Sequence, residues 1–62
     1  MTSMQIINLW KAGYSKLKMY QLEYEDTLRN PALKYLTKKE KRRIAYQYVD
    51  DTLLQAYKSR KI

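Results

Sequence analysis

A Thr-x-x-Glu pair followed by a long apolar stripe dominates the second half of the chain. Thr37 and Glu40 have the spacing of a capping box, in which each side chain satisfies a backbone N–H of the other residue at a helix start. The apolar residues that follow recur on one side of a helical projection. They are Ile44, Ala45, Tyr48, Val49, Thr52, Leu53 and Ala56. This pattern predicts an amphipathic helix over residues 37–60, with one face that needs a partner surface.

Apolar and aromatic residues in the first half recur at spacings of three or four. They are Ile6, Leu9, Trp10, Tyr14, Leu17, Tyr20, Tyr24 and Leu28. The register continues across Gly13, which favours a single helix over residues 3–29, although an interior glycine costs about 1 kcal/mol relative to alanine. Pro31 disfavours the helical conformation at Asn30, so the sequence predicts a connector at residues 30–36. The predicted fold is all-α: an antiparallel helical hairpin of two long helices with a short proline-containing connector.

The segment 6–19 resembles the first two helices of a helix-turn-helix motif. In that motif a glycine ends one helix and a serine caps the next, and here Leu9, Gly13, Ser15 and Met19 stand at the corresponding positions. The resemblance implies a turn at Gly13 and contact with DNA. Tyr20 occupies a position at which the motif usually has a small residue, and no recognition helix follows at the expected distance. The unbroken apolar periodicity favours the single helix instead.

Length and composition limit the function. A chain of 62 residues without cysteine buries only roughly 60% of its unfolded surface, so we expect a single small domain that self-associates. Histidine is also absent and there is one glycine, which argues against acid–base or thiol catalysis, a zinc site and a phosphate-binding loop. We expect no enzyme activity, no cofactor and no metal. Because we find neither a signal peptide nor a membrane span, we expect a cytoplasmic protein.

The charge pattern gives the main functional hypothesis. The formal net charge is +7, which favours polyanionic partners. Five cations crowd the start of the second predicted helix, where the helix dipole disfavours them. Either the acidic group Glu23, Glu25 and Asp26 neutralises them across the hairpin, or they contact phosphates. The second possibility predicts a small basic non-enzymatic nucleic-acid-binding or regulatory accessory protein. Its predicted contacts are Lys38, Lys39, Lys41, Arg42, Arg43, Lys11, Lys18, Lys58, Arg60 and Lys61.

An alternative hypothesis is a helical protein-interaction module, such as an inhibitor or adaptor, that binds an acidic protein surface. It depends on apolar and aromatic residues that project away from the main stripes of the two predicted helices. We expect these residues to contact a protein partner or a second copy of the chain, which makes a homo-oligomer the expected state. They are Tyr46, Leu54, Tyr57, Ile7, Met19 and Leu22.

Overall fold

The computed structural model describes residues 1–60, which form three α-helices and no strand. Helix α1 spans Ser3–Lys11, α2 spans Lys16–Arg29 and α3 spans Lys38–Lys58, with one turn of 3-10 helix at Pro31–Leu33. The prediction of an all-α fold is confirmed. The predicted hairpin of two long helices is not, because the first predicted helix is two helices and one of them is short.

A turn at Gly13 separates α1 from α2. The Gly13 N–H donates to the Trp10 carbonyl at 3.0 Å and the Tyr14 N–H donates to the Leu9 carbonyl at 3.1 Å. These two bonds form a Schellman motif, which needs a left-handed residue, and Gly13 has φ 94°. The Ser15 hydroxyl then accepts from the Lys18 N–H at 3.1 Å and caps α2. The predicted helix over residues 3–29 is therefore wrong, and the chain has the glycine stop and serine cap of the motif that it resembles.

Helix α3 begins where the sequence predicts it, with Thr37 as its N-cap. The Thr37 hydroxyl accepts from the Glu40 N–H at 3.2 Å, and the Thr37 N–H donates to Glu40 Oε1 at 3.1 Å, so the predicted capping box is confirmed. In the connector, Asn30 Oδ1 accepts from the Ala32 N–H at 3.0 Å, and Pro31 is the first residue of the 3-10 turn. These local bonds fix where α3 begins.

The three helices pack around one small core. Helices α2 and α3 are antiparallel, because Tyr20 stacks on Tyr46 with ring centroids 4.4 Å apart while the Arg42 guanidinium lies over the Tyr24 ring. Helix α1 packs against α3 and α2 along the same bundle. Each helix contributes to the cluster of buried apolar side chains, which are Ile6, Met19, Val49 and Leu53.

The buried face of α2 differs from the predicted one. Leu17 is 64% exposed, whereas Met19 is fully buried, followed along the helix by Glu23 and Thr27. The turn at residues 12–15 resets the helical phase, so the stripe extrapolated from α1 does not continue on α2. In α3 the predicted stripe is mostly correct, although Ile44 is exposed. The buried positions of α3 are Ala45, Val49, Thr52, Leu53 and Ala56.

The α-amino group of Met1 ties the start of the chain to α2. It donates to Glu23 Oε2 at 2.9 Å and to Asp26 Oδ2 at 2.7 Å. Burial lowers the pKa of this amine, but the hydrogen bonds to Asp26 and Glu23 outweigh that effect and raise the pKa above its ordinary value of 8.0. The Glu23 side chain is therefore buried with a charged partner, which offsets the cost of removing it from water.

Candidate functional site

The basic residues at the start of α3 are grouped within two turns of helix, and we call this group the 38–43 cluster. It consists of Lys38, Lys39, Lys41, Arg42 and Arg43. Successive helical residues are rotated by about 100°, so six consecutive positions point around the whole circumference of the helix. Of the five cations, Lys41 is half-buried and the others are exposed. The cluster therefore presents positive charge in several directions from the end of the bundle at which the connector meets α3.

The acidic group on α2 makes its ion pairs with groups outside this cluster. Glu23 and Asp26 pair with the Met1 amine, and Arg29 of the same helix lies 3.9 Å from Glu25 and 3.5 Å from Asp26. Among residues 1–60, no ion pair joins a carboxylate to a cation of the 38–43 cluster. Direct ion pairing between this acidic group and the cluster is therefore absent from residues 1–60.

The carboxylate inside the cluster has a different role. Glu40 accepts from the Thr37 N–H as part of the capping box, which places one negative charge at the positive end of the helix dipole. Arg42 is positioned by an aromatic ring, since its guanidinium carbon lies 5.5 Å from the centroid of Tyr24. A cation–π contact uses the face of the guanidinium and leaves its N–H donors directed outward in the plane.

The remaining predicted contact cations lie at the opposite end of the bundle. Lys11 ends α1, Lys18 lies in the first turn of α2, and Lys58 and Arg60 lie at the end of α3. At 1.5 Å per residue, Lys38 and Lys58 are about 30 Å apart along α3. The cations predicted to contact phosphates are therefore spread along the bundle and do not lie together in one place. Lys61 lies outside the described residues.

The predicted partner-contact residues differ in how much of each side chain is exposed. Ile7 is 7% exposed and Met19 is fully buried, so the structure places both of these predicted contact residues in the interior of the bundle. Their side chains became buried because the turn at residues 12–15 folds α1 back against α2 and α3. Tyr46 is half-buried in its stack with Tyr20, and Leu22 is also half-buried. Two of the predicted residues are well exposed, and they are Leu54 and Tyr57.

Leu54 and Tyr57 line a groove of about 460 Å³ at the end of the bundle opposite the 38–43 cluster. Its lining residues come from all three helices: Trp10, Lys16, Tyr20, Asp50, Leu53, Leu54 and Tyr57. The Tyr20 hydroxyl donates to Asp50, and this bond, together with burial, raises the pKa of Tyr20 to about 12. Neither Trp10 nor Lys16 is among the contact residues predicted from the sequence, because the apolar periodicity does not show the turn that brings the end of α1 to this groove.

Residues 1–60 show neither a metal-binding cluster nor a helix that could span a membrane. The part of the chain that the structure describes contains no group of three or more His, Cys, Asp or Glu residues placed to hold a metal ion. None of its helices has the length and apolar character needed to cross a bilayer. No protein-family model, no curated protein and no solved structure matches the chain. The structural features that bear on function are therefore the basic ends of the bundle and the groove.

Proposed function

We propose that the chain is a small non-enzymatic nucleic-acid-binding protein, with a regulatory or accessory role, that contacts phosphates through the 38–43 cluster. The observation that carries this proposal is the absence of any ion pair between the cluster and a carboxylate of residues 1–60. Five cations lie together at one end of the bundle, and only one carboxylate, that of Glu40, lies among them.

The electrostatics of a helix start support a phosphate partner. Each cation near the positive end of a helix dipole is unfavourable by about 0.3–1 kcal/mol at low ionic strength. A phosphate placed among the side chains and the first backbone N–H groups interacts favourably with both. The net charge of +7 adds long-range attraction toward any polyanion. Contacts of this kind position a protein on nucleic acid and do not by themselves select a base sequence.

The salt dependence of affinity tests the proposal quantitatively. If each of the five cations neutralises one phosphate of duplex DNA, the slope of log K against log salt is about −4.5. Raising the salt from 50 to 200 mM then weakens binding by roughly 500-fold. The measurement is fluorescence anisotropy with labelled duplex DNA and RNA over this salt range. A flat dependence for every nucleic acid contradicts the proposal.

Two double variants of equal charge locate the contact. Lys38→Gln/Lys39→Gln removes two cluster cations and should reduce the slope by about 2. It should not impair folding, because both cations are unfavourable for the helix dipole. Lys58→Gln/Arg60→Gln removes the same charge from the opposite end, about 30 Å away, and should leave the slope nearly unchanged. Equal effects of the two variants would show that net charge, and not the 38–43 cluster, determines binding.

The alternative predicted from the sequence, a helical module that binds an acidic protein, depends on a different surface. Leu54 and Tyr57 remain exposed beside the groove, at the end of the bundle away from the 38–43 cluster. The two activities are therefore separable by mutation.

A further inference from the structure

The groove opposite the 38–43 cluster combines exposed aromatic and aliphatic side chains. Trp10 is 38% exposed, Leu54 is 50% exposed and Tyr57 is 71% exposed, and all three line the same depression. Adjacent exposed apolar side chains of this size around a concave surface are typical of interaction sites. Trp and Tyr are also the residues that most often dominate the binding energy of protein interfaces.

Positive charge surrounds this apolar surface. Lys16 lines the groove, Lys11 follows Trp10 at the end of α1, and Lys58 follows Tyr57 at the end of α3. Lys18 lies in the first turn of α2, the same turn as Lys16, and Arg60 follows the end of α3. The carboxylate in the lining, that of Asp50, accepts a hydrogen bond from the Tyr20 hydroxyl. No ion pair joins any of these lysines to a carboxylate of residues 1–60.

We propose that this groove is a second binding site, which takes an acidic amphipathic segment of a protein partner. The apolar side chains of that segment pack on Trp10, Leu54 and Tyr57, and its carboxylates face the surrounding lysines. Docking of one apolar helix face into a groove is a recurrent mode of peptide recognition, in which apolar anchors give affinity and complementary charge gives specificity.

Charge complementarity favours this occupant over a second copy of the chain. A copy placed here brings the same lysines and a net charge of +7, so like charges meet around the groove. Five of the six acidic side chains are engaged within the chain, and the one without a hydrogen bond or ion pair among residues 1–60, Asp51, does not balance the lysines around the groove. Glu23 and Asp26 bind the Met1 amine, and Glu40 caps α3.

The same surface suits nucleic acid less well. Bases stack on aromatic rings, but Leu53 and Leu54 form an aliphatic part of the lining that a polynucleotide has little means to cover. The Asp50 carboxylate within the groove also repels a phosphate backbone, whereas a protein segment can keep its carboxylates at the rim and direct apolar side chains inward.

The first experiment is a selection against the 62-residue protein. The probe is a displayed library of 18-residue helical peptides with Leu, Ile or Phe at positions i, i+4 and i+7, and with Glu, Asp, Gln, Lys or Ala at the others. We expect the selected peptides to be enriched in Asp and Glu. Trp10 is the only tryptophan of the chain and it lines the groove. Binding of a selected peptide should therefore shift the fluorescence emission of Trp10.

Single substitutions then locate the bound peptide. Leu54→Ser and Tyr57→Ala each remove an exposed groove side chain, and we expect about tenfold weaker peptide binding from each. Tyr35→Ala is the matched control, because Tyr35 is 77% exposed in the connector and does not line the groove. It should change affinity by less than about twofold. Circular dichroism checks that all three variants remain helical.

The result that supports the proposal also separates it from nucleic-acid binding by the 38–43 cluster. Lys38→Gln/Lys39→Gln should retain peptide affinity while losing affinity for DNA or RNA. The proposal is overturned if no acidic peptide is enriched, or if the selected peptides bind the Leu54→Ser and Tyr57→Ala variants normally. It is also overturned if a 20-nucleotide oligothymidylate displaces them by binding at Trp10, or if sedimentation shows a dimer that Leu54→Ser dissociates.

Discussion

Replacement of Gly13 decides between the turn that the structure contains and the continuous helix that the periodicity suggests. Gly13 has φ 94°, and a Cβ atom built on it meets no atom within 4 Å. Gly13→Ala therefore introduces backbone strain without a clash, and an L-residue in a left-handed conformation costs about 1–2 kcal/mol. In a continuous helix the same substitution would stabilise the protein by about 1 kcal/mol, because alanine is the better helix former. The turn and the continuous helix therefore predict opposite signs for the change in unfolding free energy caused by Gly13→Ala.

Thermal and urea unfolding followed by circular dichroism measure this sign. For a chain of this size, 1 kcal/mol corresponds to a shift of about 4–8 °C in Tm, so Gly13→Ala should lower Tm by roughly 4–16 °C. A D-alanine at position 13, accessible by chemical synthesis of the 62-residue chain, adds the same methyl group in the mirror configuration. It should stabilise the fold by about 0.4–1 kcal/mol through the unfolded state. A higher Tm for Gly13→Ala together with a lower Tm for the D-alanine chain would refute the turn.

Two further predictions concern the core and the start of the chain. Met19→Ala should cost about 2–5 kcal/mol in urea unfolding, whereas the exposed Leu17→Ala should change stability by less than about 0.5 kcal/mol; equal effects would contradict the buried face of α2. The Met1 amine has a raised pKa, so its interaction with Glu23 and Asp26 stabilises the fold fully below about pH 8. That contribution disappears as the pH rises through the folded-state pKa. The difference in urea midpoint between the free-amine and Nα-acetylated chains should therefore shrink from pH 7 to pH 10, and a constant difference would contradict it.

Local capping signals were the most reliable guides to this fold. Thr37 and Glu40 specify the start of α3 through side-chain bonds to nearby backbone groups, which depend on no other part of the chain. Gly13 and Ser15 carry equally local signals, but the apolar spacing continued across them and suggested one helix. Since a turn of a few residues can preserve three- and four-residue spacings while rotating the next helix, periodicity alone does not establish continuity.

The candidate sites depend on contacts that side-chain patterns do not encode. The sequence offers the acidic group of α2 as one of two possible partners of the 38–43 cluster, yet Glu23 and Asp26 pair with the Met1 amine. A backbone amine has no signature in a residue pattern, so this competition was invisible in the sequence. The groove was equally hidden, because its lining comes from all three helices and the apolar spacing in the sequence does not show the turn at Gly13 that arranges α1 beside α2 and α3.

The arrangement of the four-residue core has a consequence for how this protein unfolds. Ile6 comes from α1, Met19 from α2, and Val49 and Leu53 from α3, so no pair of helices completes the interior alone. Nine residues are too few for α1 to persist as an isolated helix in water. Because detachment of α1 would expose the other three side chains of this cluster to water, we expect its release to coincide with loss of the tertiary structure. Amide hydrogen exchange in α1 should consequently be as slow as in the centre of α3.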